Sequence, residues 1–272
     1  MKPAYRLPSR PVAAADSVVR GDRYRITVVT AGLVRLEWSA DGEFEDRAST
    51  LAVTREMPVP EFQVIDAGHR LEIVTSRFRL DYDKGPFTTS GLSLTARGGL
   101  SDYQSVWRFG QPVDDLGGTA RTLDAVDGPV PLEAGVISRT GVATLDDSGS
   151  FLFEEDGWVG TRVEGRHDLY VFAYGHDYHE ALAAFHALSG PTPLLPRFAL
   201  GNWWSRYFPY STDSYTALIE RFQAEGIPFS VSVIDMDWHV VDVDPSHGSG
   251  WTGYTWNREL FPEPAEFLAW LH

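Results

Sequence analysis

Ile227–Asp237 reads IPFSVSVIDMD, an apolar run rich in β-branched residues that closes on two carboxylates. Its length and composition predict a buried strand. Just before it, Tyr215, Leu218, Ile219 and Phe222 recur at i, i+3, i+4 and i+7. That spacing predicts an amphipathic helix, with Ser211 or Thr212 as N-cap and Gly226 just past its end. Further upstream, FALGNWW (198–204) is another short apolar run, and Pro264–Leu271 begins a second helix. Strand, helix, strand, helix is the order that builds a parallel sheet.

Toward the N-terminus the pattern changes. PTPLLPR (191–197) carries three prolines and predicts a stiff connector, preceded by an Ala/Leu-rich helix over 177–188 that ends at Ser189–Gly190–Pro191. Before that helix the chain reads as β. Tyr24, Ile26 and Val28 alternate with Arg23, Arg25 and Thr27, and Val34, Leu36 and Trp38 with Arg35, Glu37 and Ser39. Phe78, Leu80 and Tyr82 alternate in the same way with Arg77, Arg79 and Asp81. A period of two predicts one buried and one wet face, as in an antiparallel sandwich. The boundaries read as a β-sandwich over 1–175, a connecting helix and linker over 176–197, and the first βαβα portion of a larger α/β domain over 198–272.

Composition narrows the function. The 272 residues carry 38 acidic against 23 basic side chains, a formal charge of −15, which repels nucleic-acid phosphates and anionic lipid. The absence of cysteine excludes disulfides and thiolate chemistry. The first residues show no signal-peptide core and no stretch approaches the roughly 20 apolar residues of a membrane span, so the expected address is cytoplasmic.

Chemistry is expected beyond the carboxyl ends of the parallel strands, where α/β folds place their sites. Asp235 and Asp237 fall there, and strand alternation would put both carboxylates on one face about 7 Å apart. Neighbours on one strand cannot face each other across a bond, so their expected role is to accept hydrogen bonds from substrate hydroxyls. Trp203, Trp204, Trp238, Trp251 and Trp256 cluster at the same strand ends and the following loop. Aromatic faces with acceptors nearby suit a sugar. Trp270, on the last helix, reads as core. The run His239, Asp242, Asp244, His247 has donor types for a metal, but Pro245, Gly248 and Gly250 mark it as loop, and no metal site or cofactor is expected. His176, His179 and His186 read as solvated or capping. Gly117–Gly118 in DDLGGTARTLD (114–124) has no helix after it and does not read as a phosphate loop.

Three stretches resemble glycoside hydrolase family 31, the α-glucosidase and α-xylosidase family. They are DLYVFAYGHDYHEALAAFHALSGPTPLLPRFALGNWW (168–204), IPFSVSVIDMDW (227–238) and YTWNRELFPEP (254–264). The resemblance implies a galactose-mutarotase-like N-terminal β-sandwich followed by the start of a (β/α)8 TIM barrel. It also implies a retaining α-glycoside hydrolase whose Asp235 binds a hydroxyl of the sugar being cleaved. Trp203 or Trp204 would line that pocket. Asp237, Trp238 and Trp256, which the strand-end reading sets beside it, are expected as further substrate-binding residues. DDLGGTARTLD becomes the candidate for a sandwich loop leaning over the site, while Asp237 and the 239–250 insert depart from the best-known members.

Residues 198–272 fall far short of the roughly 250 that a complete barrel needs, so the chain is expected to be the front part of a longer enzyme, with no catalytic carboxylate of its own. An oligosaccharide or α-glucoside is the expected partner. An α-glucosyltransferase of the same family is a second reading. A non-catalytic carbohydrate-binding sandwich is a third, which the βαβα tail argues against.

Overall fold

The computed structural model describes residues 7–98, 101, 104–120 and 122–272. They fall into two compact units, Met1–Thr192 and Pro193–His272. Among the described residues no helix is long and apolar enough to cross a membrane.

The first unit is built from two five-stranded antiparallel sheets. One takes the order β1-β2-β3-β12-β9, from β1 (Val18–Arg20), β2 (Tyr24–Thr30), β3 (Leu33–Trp38), β9 (Ala143–Asp146) and β12 (His167–Phe172). The other runs in chain order through β4 (Phe62–Asp66), β5 (Leu71–Thr75), β6 (Phe78–Tyr82), β7 (Leu92–Ala96) and β8 (Val106–Arg108). A short hairpin, β10 (Leu152–Phe153) with β11 (Val159–Gly160), lies between β9 and β12 in the chain. Register explains the core. Ile26 stands opposite Leu36 and Leu36 opposite Leu169, while Ile73, Leu80 and Leu94 align across the second sheet. These rows meet in one apolar cluster that also holds Phe78, Tyr82 and Trp107.

One expectation from the alternation fails. In β5, β6 and β7 every second residue is buried, as a half-wet sheet requires, but β2 and most of β3 are buried on both faces. Arg35 and Glu37, expected in water, are each 2% exposed. The reason is pairing by register. Arg25, Glu37 and Asp168 stand opposite one another in a single cross-strand row. Arg25 donates to both Glu37 oxygens at 2.6 and 2.9 Å, and Arg35 donates to both Asp168 oxygens at 2.8 and 2.7 Å. Arg162 joins Asp168 to Asp147, whose carboxylate also accepts from Ser49 Oγ. Charges removed from water are tolerated here because each meets a geometrically matched partner.

The helix expected within the connector, α1 (Tyr178–Ser189), is integral to the first unit. Ala181, Ala184 and Leu188 pack with Val29, Leu33, Tyr170 and Phe172 of the sheet. The Leu188 carbonyl accepts from the backbone N–H groups of Val53 and Thr54. The stiff connector is therefore confined to the prolines that follow.

In the second unit β13 (Trp203–Trp204) pairs in parallel with β14 (Val231–Ser232), and α2 (Thr212–Ala224) connects them. Both predicted helix ends are present. Ser211 Oγ accepts from Ser214 N and Ser214 Oγ accepts from Ser211 N, a capping box. At the other end Gly226, at φ +72°, donates to Gln223 O, and Ile227 donates to Phe222 O. The last helix is α3 (Pro264–Leu271), and Tyr210, Tyr215, Phe261 and Phe267 form the core. The strand expected over 227–237 is shorter. Its ladder contacts run from Ser230, which donates to Asn202 O, to Val233, which donates to Trp204 O. β13 offers no further partners, and Asp237 turns the chain at φ +58°.

Candidate functional site

The carboxyl ends of β13 and β14 bring the candidate residues into one region of the second unit. Ile234 packs into the apolar cluster with Trp204, and the next residue, Asp235, is exposed. Neither Asp235 nor Asp237 has a hydrogen bond or ion pair with another described residue. Asp237 is half-buried and does not continue a pleated strand, because its φ is left-handed. The expectation that both carboxylates share one strand face therefore does not hold. What remains is one open carboxylate at the strand end and a second at the turn that follows.

The tryptophans divide. Adjacent strand residues point to opposite faces. Trp204 turns toward α2, its ring 4.8 Å from Phe222 and 6.1 Å from Phe229, and its buried Nε1 has no partner among the described residues. Trp203 is the open one, 52% exposed, with Nε1 donating to Ala199 O. Trp238 and Trp256 meet edge to face at 5.1 Å, and Trp256 continues to Phe261 at 5.7 Å. Trp270 corrects an expectation. It is 43% exposed and lies flat against Phe267 rather than in the core.

The chain from Trp238 to Asn257 closes on itself. Val240 donates to Thr255 O and Asn257 to Trp238 O, and His239 bridges to Trp256 in antiparallel sense. The His239 ring is buried, and its Nε2 donates to Gly250 O at 3.1 Å, the only sense a carbonyl allows. Asp242, Asp244 and His247 stay exposed, and Asp244 accepts from Ser246 N at 2.8 Å. The Ser246 hydrogen bonds hold the Asp244 carboxyl below the usual carboxylate range. Among the described residues no group of three or more His, Asp or Glu side chains is gathered for a metal. Sequence reasoning weighed His239 as a metal donor and missed its part in closing this loop; the Gly248, Gly250 and Gly253 spacing was the available signal. It also missed Tyr254 and Tyr207, both highly exposed beyond strand ends.

In the first unit DDLGGTARTLD forms one arm of an irregular hairpin, with Arg121 outside the described residues. Leu116 donates to Ile137 O and Gly118 to Glu133 O. Asp115 Oδ1 accepts from Gly117 N and Gly135 N. The glycines allow close backbone approach, since a Cβ on Gly118 would lie 2.7 Å from Ala134 O. His176 Nε2 bonds the Arg139 carbonyl at 2.8 Å, a surface contact.

Three comparisons bear on this geometry. Residues 192–272 match the model of the glycosyl hydrolases family 31 TIM-barrel domain. An α-xylosidase of Saccharolobus solfataricus is 24% identical over 249 residues, covering 89% of this chain and 28% of that protein. An α-glucosidase of the same organism is 28% identical over 166 residues, covering 58% of this chain and 22% of its own length. The crystal structure of a family 31 α-xylosidase from Xanthomonas citri superposes with a TM-score of 0.59 at 13% identity, over 95% of this chain and 48% of that one. The chain thus spans about a quarter of the curated relatives it matches.

Proposed function

From the premise that the chain belongs to glycosyl hydrolase family 31, we propose that it forms the sugar-holding part of a retaining α-glycoside hydrolase. In this reading the two-sheet unit is the family's N-terminal sandwich and Pro193–His272 opens its barrel. One observation carries the proposal. Asp235 is an exposed carboxylate with no partner among the described residues, at the carboxyl end of a parallel strand inside the matched segment. An ionised carboxylate accepts hydrogen bonds only, which suits it to a sugar hydroxyl.

Asp235 fixes one hydroxyl of the glycosyl unit, and Trp203 offers an open ring on its own strand end. Holding the sugar ring lets its distortion toward the oxocarbenium-like transition state be stabilised where charge develops. Retaining cleavage needs two carboxyl groups on opposite sides of the bond, about 5–5.5 Å apart. Asp235 and Asp237 come from one stretch of chain and are assigned binding, not nucleophile or acid, roles. The relatives include both α-xylosidases and α-glucosidases, which supports α-glucosides or α-xylosides as the substrate class.

The test is Asp235→Asn in the full-length protein, assayed on an aryl α-glucoside and an aryl α-xyloside. A lost charged hydrogen bond of about 1.5–3 kcal/mol should lower turnover roughly 10- to 150-fold, with the melting curve unchanged. Wild-type kinetics on both substrates would remove Asp235 from the site.

A further inference from the structure

We propose that the closed loop between Trp238 and Asn257 decides which glycoside the site accepts. Its Trp251 and Tyr254 rings receive the sugar on the leaving-group side, and His239 acts as the positioning residue that holds the loop in shape. This rests on the glycosidase reading and extends it beyond the sugar that Asp235 serves.

The loop is braced from within. Its neck is the ladder of Val240 with Thr255 and Asn257 with Trp238. Inside it, the His239 ring is 4% exposed and donates to Gly250 O. Gly250 has φ +82°, and a Cβ there would lie 2.1 Å from Val241 O, so the loop backbone runs against itself. A Cβ on Gly253 would lie 3.5 Å from His239 Cδ2. The His239 Nδ1 atom is buried with no partner among the described residues. Such an atom is costly to maintain in a loop that only spans two elements.

What the brace presents is aromatic. Tyr254 is 85% exposed and Trp251 53%. Neither belongs to the apolar cluster of this unit. The Tyr254 ring stands 6.1 Å from Trp238, which lies tilted against His239 at 4.7 Å and edge to face with Trp256 at 5.1 Å. Tyr254 thus meets a braced ring in an edge contact and is otherwise open. A pyranose C–H face is the complement of such a ring, and few torsions are lost in binding it. The loop leaves the strand after Asp235, so its rings lie further out along the chain than the carboxylate. Loops after barrel strands set specificity for this reason.

The experiment compares two substrates of the full-length protein: an α-glycosyl fluoride, whose leaving group has no ring, and an α-linked trisaccharide of the same sugar. Trp251→Ala and Tyr254→Ala should each lower kcat/KM on the trisaccharide roughly tenfold, chiefly through KM. The fluoride should change by less than about twofold. His239→Phe should give the same selective loss without touching the sugar, and His239→Gln, which keeps an N–H donor, should recover part of it. Asp235→Asn should lower both substrates together. Equal loss on both substrates for the ring variants, or no loss on either, would overturn the proposal. If wild type cleaves neither substrate, the glycosidase reading fails by itself. Trisaccharide binding followed by tryptophan fluorescence then decides the loop: loss of binding in Tyr254→Ala sustains it, and unchanged or absent binding in wild type and variant overturns it.

Discussion

Replacing Asp168 by Asn would remove one charge from the buried row on β12 while leaving its shape. Arg35, 2% exposed, would lose the charge on the Asp168 oxygens it reaches at 2.8 and 2.7 Å and keep only the Glu37 charge at 3.0 Å, and Arg162 would lose one charged acceptor at 2.7 Å. Breaking a buried pair from one side costs about 3–5 kcal/mol, because the remaining charge stays desolvated. For a unit of this size that is a fall in Tm of about 6–20 °C at neutral pH. The pH dependence has a definite sign. Burial opposes ionisation of Asp168, but the Arg35 guanidinium, followed by Arg162 and Arg55, outweighs it and holds the carboxyl well below the usual range. Its contribution is therefore complete above the unfolded aspartate value of about 3.9 and is lost as pH falls through the lower folded value. Circular-dichroism melts of wild type and Asp168→Asn between pH 7 and acid should converge only below about pH 4. The double variant Arg35→Met with Asp168→Leu, which removes the charges together, should recover most of the loss. A Tm within about 2 °C of wild type for Asp168→Asn would refute the reasoning, since it would mean water reaches the row.

Three further changes test other links. Leu188→Ala should destabilise the first unit by about 2–5 kcal/mol in a denaturant titration, because α1 is part of its core; an unchanged midpoint would return α1 to the connector. Ser211→Ala should cost the second unit about 1 kcal/mol through the lost cap, read as reduced helicity and a lower Tm. Tyr215→Phe removes the hydroxyl that donates to Val233 O at 2.9 Å. It should cost about 1 kcal/mol and raise KM more than it changes the spectrum, since Val233 lies two residues before Asp235.

The sequence was most legible where one physical rule acted alone. Period-two alternation located β5, β6 and β7, and the cap residues located both ends of α2. Alternation misled in β2 and β3 because a charged residue reads as solvent-facing unless its partner is known. The partner of Arg35, Asp168, lies on β12 far along the chain, and that of Glu37, Arg25, on the neighbouring strand β2. α1 carried the composition of a free amphipathic helix, and only the apolar outer residues of the sheet, Val29, Leu33 and Phe172, show why it docks. At the site, residue type identified Asp235 and the tryptophans, but not which ring is open. That choice falls to the neighbours of Trp204, Phe222 and Phe229. The roles of Tyr254 and His239 were not legible for a related reason: they depend on loop closure, which leaves no periodic trace.

The doubly covered sheet has a consequence for motion. β3 lies between β2 and β12, and β12 between β3 and β9, so their amides are paired along both edges and covered on both faces. Such amides exchange with solvent only when the whole unit opens. The β13–β14 ladder is two residues long, and its pairing can fluctuate locally at little cost. Within this single chain slow and fast breathing backbone are thus assigned to different tasks: the inner strands of the first unit keep time with global unfolding, and the strand ends that carry Asp235 move on a clock of their own.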